Sequence, residues 1–233
     1  MSPCSSSAAT SLLFDLDGTL TDPAEGITRC LTYALEKLGR LVPCESELRA
    51  CIGPPLQETL PVLLGTNDPV LACDALGLYR ERFSSIGKFE NAVYPGIPEA
   101  LTALCSHGYR LLIATSKPTV YAKDILSYFG LDAFFEGVYG SELSGERSDK
   151  TALIKYLLAD RGLAADACLM IGDRKQDVVG AHQNGVACIG VLWGFGSQEE
   201  LTSAGADWLC SLPSHLYELE GSIVSVSTQG VKQ

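Results

Sequence analysis

No stretch of the 233 residues approaches the roughly 18 uninterrupted apolar positions that a membrane-spanning helix requires, so no membrane partner is expected. The first ten residues are rich in Ser and Ala but lack a basic start and a long apolar core. They read as a frayed N-terminus and not as a signal peptide. Basic residues are scarce: 17 Lys and Arg stand against 28 Asp and Glu, a net charge of −11. A phosphate backbone or an anionic membrane surface needs a basic face, which excludes a nucleic acid polymer as the main partner. The nine cysteines are odd in number and contain no C-x-x-C pair, and His107, His182 and His215 show no ligand spacing. Cysteines set in apolar stretches, such as Cys168 within Ala167–Ile171, read as buried thiols of a reducing compartment, and the cytoplasm is the expected location.

What remains is an ordinary globular composition, 46% apolar and 19% charged, with room for one sizeable core and a second module. Ser11–Asp15 is a short apolar run of the kind buried on both faces of a parallel sheet. A helix start follows, with Asp22 as N-cap, Pro23 at the first position and Glu25 closing a capping box. Ile27, Leu31, Leu35 and Leu38 then recur at helical spacing, and Gly39 stops the helix. Further helices are expected over 45–51, 56–64 and 69–86.

From Tyr94 the chain alternates. Strands are expected over 110–115, 137–139, 168–171, 187–192 and 207–210, and helices over 98–107, 119–129, 150–161 and 177–184. Such alternation implies a doubly wound parallel sheet with helices on both faces. Roughly 70 helical residues would then be inserted between the first two strands, far beyond a usual connection of about 2–6 residues. The expected fold is therefore α/β, with a core of residues 1–20 and 93–233 and an all-helical insert of residues 21–92. The polar tail from Gly221 reads as a loose end or an extra edge strand.

The sharpest chemical feature is Asp15-Leu-Asp17-Gly18-Thr19, at the C-terminal end of the first strand. Carboxylates two residues apart point to one side of an extended chain. Open parallel sheets bind ligands beyond those strand ends. Alone, the pattern is equally an Asx turn. Three further polar elements fall at corresponding places: Thr115-Ser116, Lys150, and Gly172-Asp173 with Asp177. Carboxylates hold a hard cation such as Mg²⁺ through oxygen. A hydroxyl with nearby N–H groups, Gly18 among them, cradles a phosphoryl group, and a lysine offsets its charge. An Asp can attack phosphorus and split one hard displacement into two.

FDLDGTLTD, IATSKP, RSDK and MIGDRKQD, in that order and with the helical insert after the first, resemble the haloacid dehalogenase superfamily in its phosphatase branch. The resemblance runs from about Leu12 to Leu219. It implies a Rossmann-like core with a helical cap. By position it implies that Asp15 is the nucleophile and Asp17 the general acid/base. Thr115, with Ser116 beside it, and Lys150 would hold the phosphoryl group. Asp15, the Asp17 main-chain carbonyl and Asp173 would hold Mg²⁺, with Asp177 in support of the metal or of Lys150. Asp177 reads alternatively as a helix-start carboxylate. Lys117 could reach a phosphate, but reads at least as well as an exposed lysine ahead of Pro118.

Competing functions share this core. A 2-haloacid dehalogenase has no use for Asp17, whereas a phosphomutase differs only in how its cap excludes water. A non-catalytic binding module would have lost one of the motif residues, and none is missing. The expected partner is a small phosphorylated metabolite, and the expected assembly a monomer or dimer. For the leaving group, Arg49 and Gly53 of the Arg49–Leu56 segment suit a carboxylate such as that of phosphoglycolate, although Arg49 itself reads more strongly as part of a solvated helix face. Tyr33 and Gln57 would instead serve a nucleoside, as in a 5′-nucleotidase. The whole-chain resemblance leans to the phosphoglycolate phosphatase type.

Overall fold

The structure is a computed structural model that describes residues 11–216. The expectations for residues 1–10 and for the tail from Gly221 lie outside the described residues. Six parallel strands form one sheet: β1 (Ser11–Phe14), β4 (Arg110–Pro118), β5 (Gly137–Ser141), β6 (Cys168–Gly172), β7 (Ala187–Val191) and β8 (Trp208–Cys210). A separate two-stranded ribbon pairs β2 (Thr21–Asp22) antiparallel with β3 (Ala92–Val93). The sheet order is β5-β4-β1-β6-β7-β8. From β1 the chain winds outward through β4 and β5, then crosses to the far side of β1 and winds outward again. The reversal opens a crevice at the carboxyl ends of β1, β4 and β6, where such folds take ligands.

Alternation along β1 builds both faces of the core. Leu12 and Phe14 pack toward α5 (Ile97–Ser106) and α6 (Thr119–Tyr128), in a cluster that includes Leu101, Ile113 and Ile125. Leu13 and Leu112 pack toward α7 (Lys150–Arg161), α8 (Lys175–His182) and α9 (Gln198–Ala204), beside Ile154, Leu157 and Val178. This is the doubly wound Rossmann-like α/β sheet expected from the sequence.

Between β2 and β3 lie α1 (Ala24–Lys37), α2 (Glu45–Arg49), α3 (Leu56–Leu64) and α4 (Pro69–Arg82), ending in a π-helical turn, Phe83–Gly87. They bury Ile27, Leu31, Leu35, Ile52, Leu60 and Tyr79 in a cluster of their own. Three expectations need correction here. Pro23, not Asp22, stands at the cap position of α1; Asp22 belongs to β2 and accepts from the Ala24 N–H at 3.0 Å. Glu25 closes no box but pairs with Arg29 one turn on, at 2.5 Å. The continuous helix expected to residue 86 gives way at Phe83 to a π-helical turn, a distortion frequent at functional sites.

Candidate active site

β1 and β6 deliver their carboxylates side by side. The Asp15 N–H donates to the Ile171 carbonyl at 2.9 Å, so the ladder extends one residue past β1 and the Asp15 side chain emerges beside Asp173. Gly18 adopts φ +84°, and a Cβ there would overlap the Asp173 carboxylate. A Cβ on Gly194 would overlap both that carboxylate and the Gly18 carbonyl. Only glycine allows this approach. The Gly18 N–H donates to the Thr21 carbonyl at 2.7 Å. It is therefore not open to a phosphoryl group as the sequence suggested; Gly18 serves instead to bring Asp173 close.

One carboxylate oxygen from each of the buried Asp15, Asp173 and Asp177 lies within 4.8 Å of the other two. Lys150, at the start of α7, is held among them: its Nζ stands 3.0 Å from Asp15 Oδ1 and 2.8 Å from Asp177 Oδ1, and donates to the Ala114 carbonyl at 2.9 Å. Burial alone would depress the lysine pKa, but the two carboxylates outweigh it and keep the ammonium charged. Asp177 also accepts from the Arg174 N–H at 3.0 Å, so both its oxygens are engaged. Burial, opposed by Lys150, pushes its carboxyl up to about 6. Asp173 accepts from the Phe195 N–H at 2.8 Å. Burial, then the charges of Asp177 and Asp15, raise it well above the ordinary carboxylate range.

Ionised together, three buried carboxylates around one ammonium would leave two negative charges uncompensated, a cost that shows in the raised carboxyls of Asp173 and Asp177 and that a hard divalent cation would remove. The residues present fit such an ion. Asp15 meets Lys150 through Oδ1, and Asp173 accepts from the Phe195 N–H at 2.8 Å and, at a long 3.5 Å, from the Thr19 hydroxyl, whereas Asp177 is taken up by Lys150 and the Arg174 backbone.

β4 supplies the opposite wall. Its register with β5 runs through Ala114–Tyr139 and then jumps to Pro118–Ser141, so Thr115, Ser116 and Lys117 arch out of the ladder. Such irregularities re-aim side chains. Thr115 is buried, and its Oγ1 accepts from the Lys117 N–H at 3.3 Å. Lys117 is not the exposed lysine that Pro118 suggested: it is buried, with its Nζ 2.8 Å from Asp17 Oδ2. Burial raises the Asp17 carboxyl, and Lys117 works against that rise.

From Asp17 a cleft opens between sheet and helical insert. Gly53, Pro54, Leu56, Leu76, Tyr79, Phe83 and Tyr121 give it apolar and aromatic walls; Ser116, Lys117, Ser141, Gln57 and Arg80 join Asp17 as polar members. Gln57 was anticipated from the sequence. Tyr33 was too, but its hydroxyl donates to Glu81 on the outer surface of the insert at 2.8 Å. Arg49 is exposed, 3.8 Å from Glu45 and stacked over the Phe195 ring, and lines a different cleft beside Asp22 and Asn91. Arg174 is a contact the sequence reading missed. Its guanidinium donates to the Ile52 carbonyl and underlies Gly53, tying the loop after β6 to the helical insert.

Residues 12–191 match the family model described as haloacid dehalogenase-like hydrolase. A 5′-nucleotidase of Pseudomonas aeruginosa is 50% identical over 200 residues, spanning 86% of this chain and 90% of that protein. A phosphoglycolate phosphatase of Colwellia psychrerythraea is 27% identical over 204 residues, or 84% of this chain and 90% of the other. A solved structure described as a predicted phosphatase from Clostridium acetobutylicum superposes with a TM-score of 0.87 at 41% identity, over 92% of this chain and 100% of that one. Among the described residues no helix is long and apolar enough to cross a membrane.

Proposed function

The chain belongs to the haloacid dehalogenase-like hydrolases and is a phosphoric monoester hydrolase; from that premise we infer that it acts on nucleoside 5′-monophosphates, with Asp15 carrying the phosphoryl group between two displacements. Residues 21–92 serve as its cap.

In the first displacement an Asp15 oxygen attacks phosphorus while Thr115 and Ser116 bind the phosphoryl oxygens. Lys150, anchored by Asp177, offsets charge on nucleophile and phosphate. Asp17 protonates the leaving oxygen, a task suited to a carboxyl that burial shifts toward its protonated form. It then takes a proton from the water that hydrolyses the aspartyl-phosphate. Mg²⁺ held by the carboxylates of Asp15 and Asp173 and the Asp17 main-chain carbonyl would supply positive charge at the transferring phosphoryl group.

The observation that carries the substrate assignment is the cleft. A sugar and base need apolar walls with a few hydrogen-bonding groups, which Leu56, Leu76, Tyr79, Phe83, Tyr121, Gln57 and Arg80 provide. A small carboxylate such as phosphoglycolate needs a cation over the site, and Arg49, the residue proposed for it from the sequence, faces another cleft. The 50% identical relative named as a 5′-nucleotidase supports the same reading. Buried free thiols, Cys30, Cys168 and Cys188 among them, support a reducing compartment, and we place the protein in the cytoplasm. The test is kcat/KM for nucleoside 5′-monophosphates against phosphoglycolate in one Mg²⁺ buffer. A preference for phosphoglycolate that Arg80→Ala abolishes would refute the nucleotide assignment.

A further inference from the structure

The two lysines of the site hold different carboxylates. Lys150 lies between Asp15 and Asp177, whereas the Lys117 Nζ lies 2.8 Å from Asp17 Oδ2 and 4.4 Å from the centre of the Phe83 ring. Phe83 opens the π-helical turn and is braced by Tyr79, stacked at 5.3 Å, and by Tyr121, edge-on at 5.3 Å. The other oxygen of Asp17, Oδ1, is buried and has no hydrogen-bond partner among the described residues. A buried oxygen left unsatisfied is costly unless its task is to exchange a proton or meet a ligand. A lysine on its flexible stem holds one position only when something fixes it, and here a bulged strand and a buried ring do so.

We propose that Lys117 is a positioning residue for the acid/base carboxyl: by holding Asp17 Oδ2 it commits Oδ1 to proton exchange, and Phe83 of the cap holds Lys117 in place. This rests on reading the site as a phosphatase with Asp15 as nucleophile. As the bond from Asp15 to phosphorus forms, the ester P–O bond breaks and its electron pair stays on the leaving oxygen, which takes the proton from Asp17 Oδ1. The carboxylate so formed lies against the Lys117 ammonium. In the second displacement water oxygen bonds to phosphorus, the Asp15–phosphorus bond breaks with its pair returning to Asp15, and the water proton goes to Asp17 Oδ1. Both side chains return to their starting states. A cap aromatic thereby reaches the acid through one lysine without touching the reacting atoms.

The experiment is a series of para-substituted phenyl phosphates of similar shape and graded leaving-group pKa, read as the slope of log kcat/KM against that pKa. An acid held in position protonates the leaving oxygen and keeps the slope shallow, and Asp17→Asn supplies the steep benchmark. Lys117→Met is expected to steepen the slope toward that benchmark. The loss should reach about 10–100-fold for the poorest leaving group, less than the general acid's own contribution of about 10²–10⁴-fold because Lys117 only positions it, and be least for the nitrophenyl ester. Lys117→Arg should recover part of the slope, and Phe83→Leu should steepen it by less. Equal losses on all esters, with the slope unchanged, would overturn the proposal and make Lys117 a packing or substrate-binding residue. If Lys117→Met does not fold, the slope of Phe83→Leu decides. Asp15→Asn, run alongside, should be silent on every ester; turnover there would refute the underlying reading of the site, a result distinct from an unchanged slope in Lys117→Met.

Discussion

Replacing Asp173 by Asn should make the metal-free protein more stable while removing its response to Mg²⁺. Asp173 is wholly buried, one of its oxygens lies within 4.8 Å of one each from Asp15 and Asp177, and Lys150 is the one ammonium among them. Asn keeps the shape: its oxygen can still accept from the Phe195 N–H, and its amide can donate to the Thr19 hydroxyl that Asp173 accepts from at 3.5 Å, so the change removes charge at little cost in hydrogen bonds. Relief of this kind is worth about 1–2 kcal/mol, the range of single stabilising substitutions at strained functional sites. For a chain of this size that is about 2–8 °C in Tm. In Mg²⁺ at 100 times its dissociation constant the wild type should gain about 2.7 kcal/mol and the variant nothing, which reverses their order.

The same cluster fixes a pH dependence. Burial raises Asp177 to about 6 and, with its neighbours, raises Asp173 well above an unfolded value of 3.8. Above about pH 4 the folded state thus holds more protons than the unfolded one, so stability declines as pH rises through the folded pKa values. In chelator, wild-type Tm should fall between pH 5 and 7.5, and Asp173→Asn should fall less. Carboxylates with lowered pKa, such as Glu90 and Glu136, act below this window. Differential scanning calorimetry with and without Mg²⁺ measures all of it. A variant less stable than wild type in chelator at pH 7, or a wild-type Tm that climbs from pH 5 to 7.5, would refute the electrostatic argument.

Gly194→Ala should raise the Mg²⁺ concentration for half-maximal activity by about 10–100-fold, because its Cβ would displace the Asp173 carboxylate; a titration of rate against Mg²⁺ checks this. Gln57→Ala should raise KM for nucleoside monophosphates by up to about tenfold, the worth of one hydrogen bond, and leave KM for phenyl phosphate alone. Leu13→Ala, at a fully buried position of β1, should cost about 2–5 kcal/mol in urea unfolding without moving KM.

Most of the core was legible because its signals are local. The apolar run 11–14, the carboxylates at 15 and 17 and the helix start at Lys150 each declare themselves within a few residues, and the strand–helix alternation then places them at one edge. Lys117 was misread because its burial depends on two non-local facts, the register jump between β4 and β5 and a ring contributed from Phe83. The aromatic wall was missed for a related reason. Tyr79 and Phe83 stand four apart on α4 and the turn after it, which reads as ordinary core packing until Tyr121 of α6 closes against them. Arg49 follows its stronger reading, a solvated helix face at the end of α2: proximity in sequence to Gly53 did not carry it into the same cleft, and it lies over Phe195 instead. The Gly18 assignment failed because a motif glycine near a phosphate reads as an N–H donor, whereas here its lack of a side chain is what matters.

A chain of net charge −11 that binds a phosphate dianion must reverse its own field over a few ångströms, and the structure concentrates the means in one place. Outside the site, many of its cations are spoken for at the surface: Arg110 by Glu136, Arg147 by Glu142 and Glu146, and Arg29 by Glu25 and Glu90. Lys117 and Lys150 are the buried ammoniums at the crevice, with the proposed Mg²⁺ position beside them. An approaching dianion therefore meets repulsion at long range and attraction only on arrival. Added salt screens charges farther apart than about 8–10 Å at physiological strength and leaves buried pairs nearly untouched. With Mg²⁺ held saturating, kcat/KM for a nucleoside monophosphate should rise modestly between about 0.02 and 0.2 M KCl, over which the screening length shortens severalfold. A steep fall over that range would mean that exposed cations steer the substrate, and would refute the assignment of the attraction to the buried site.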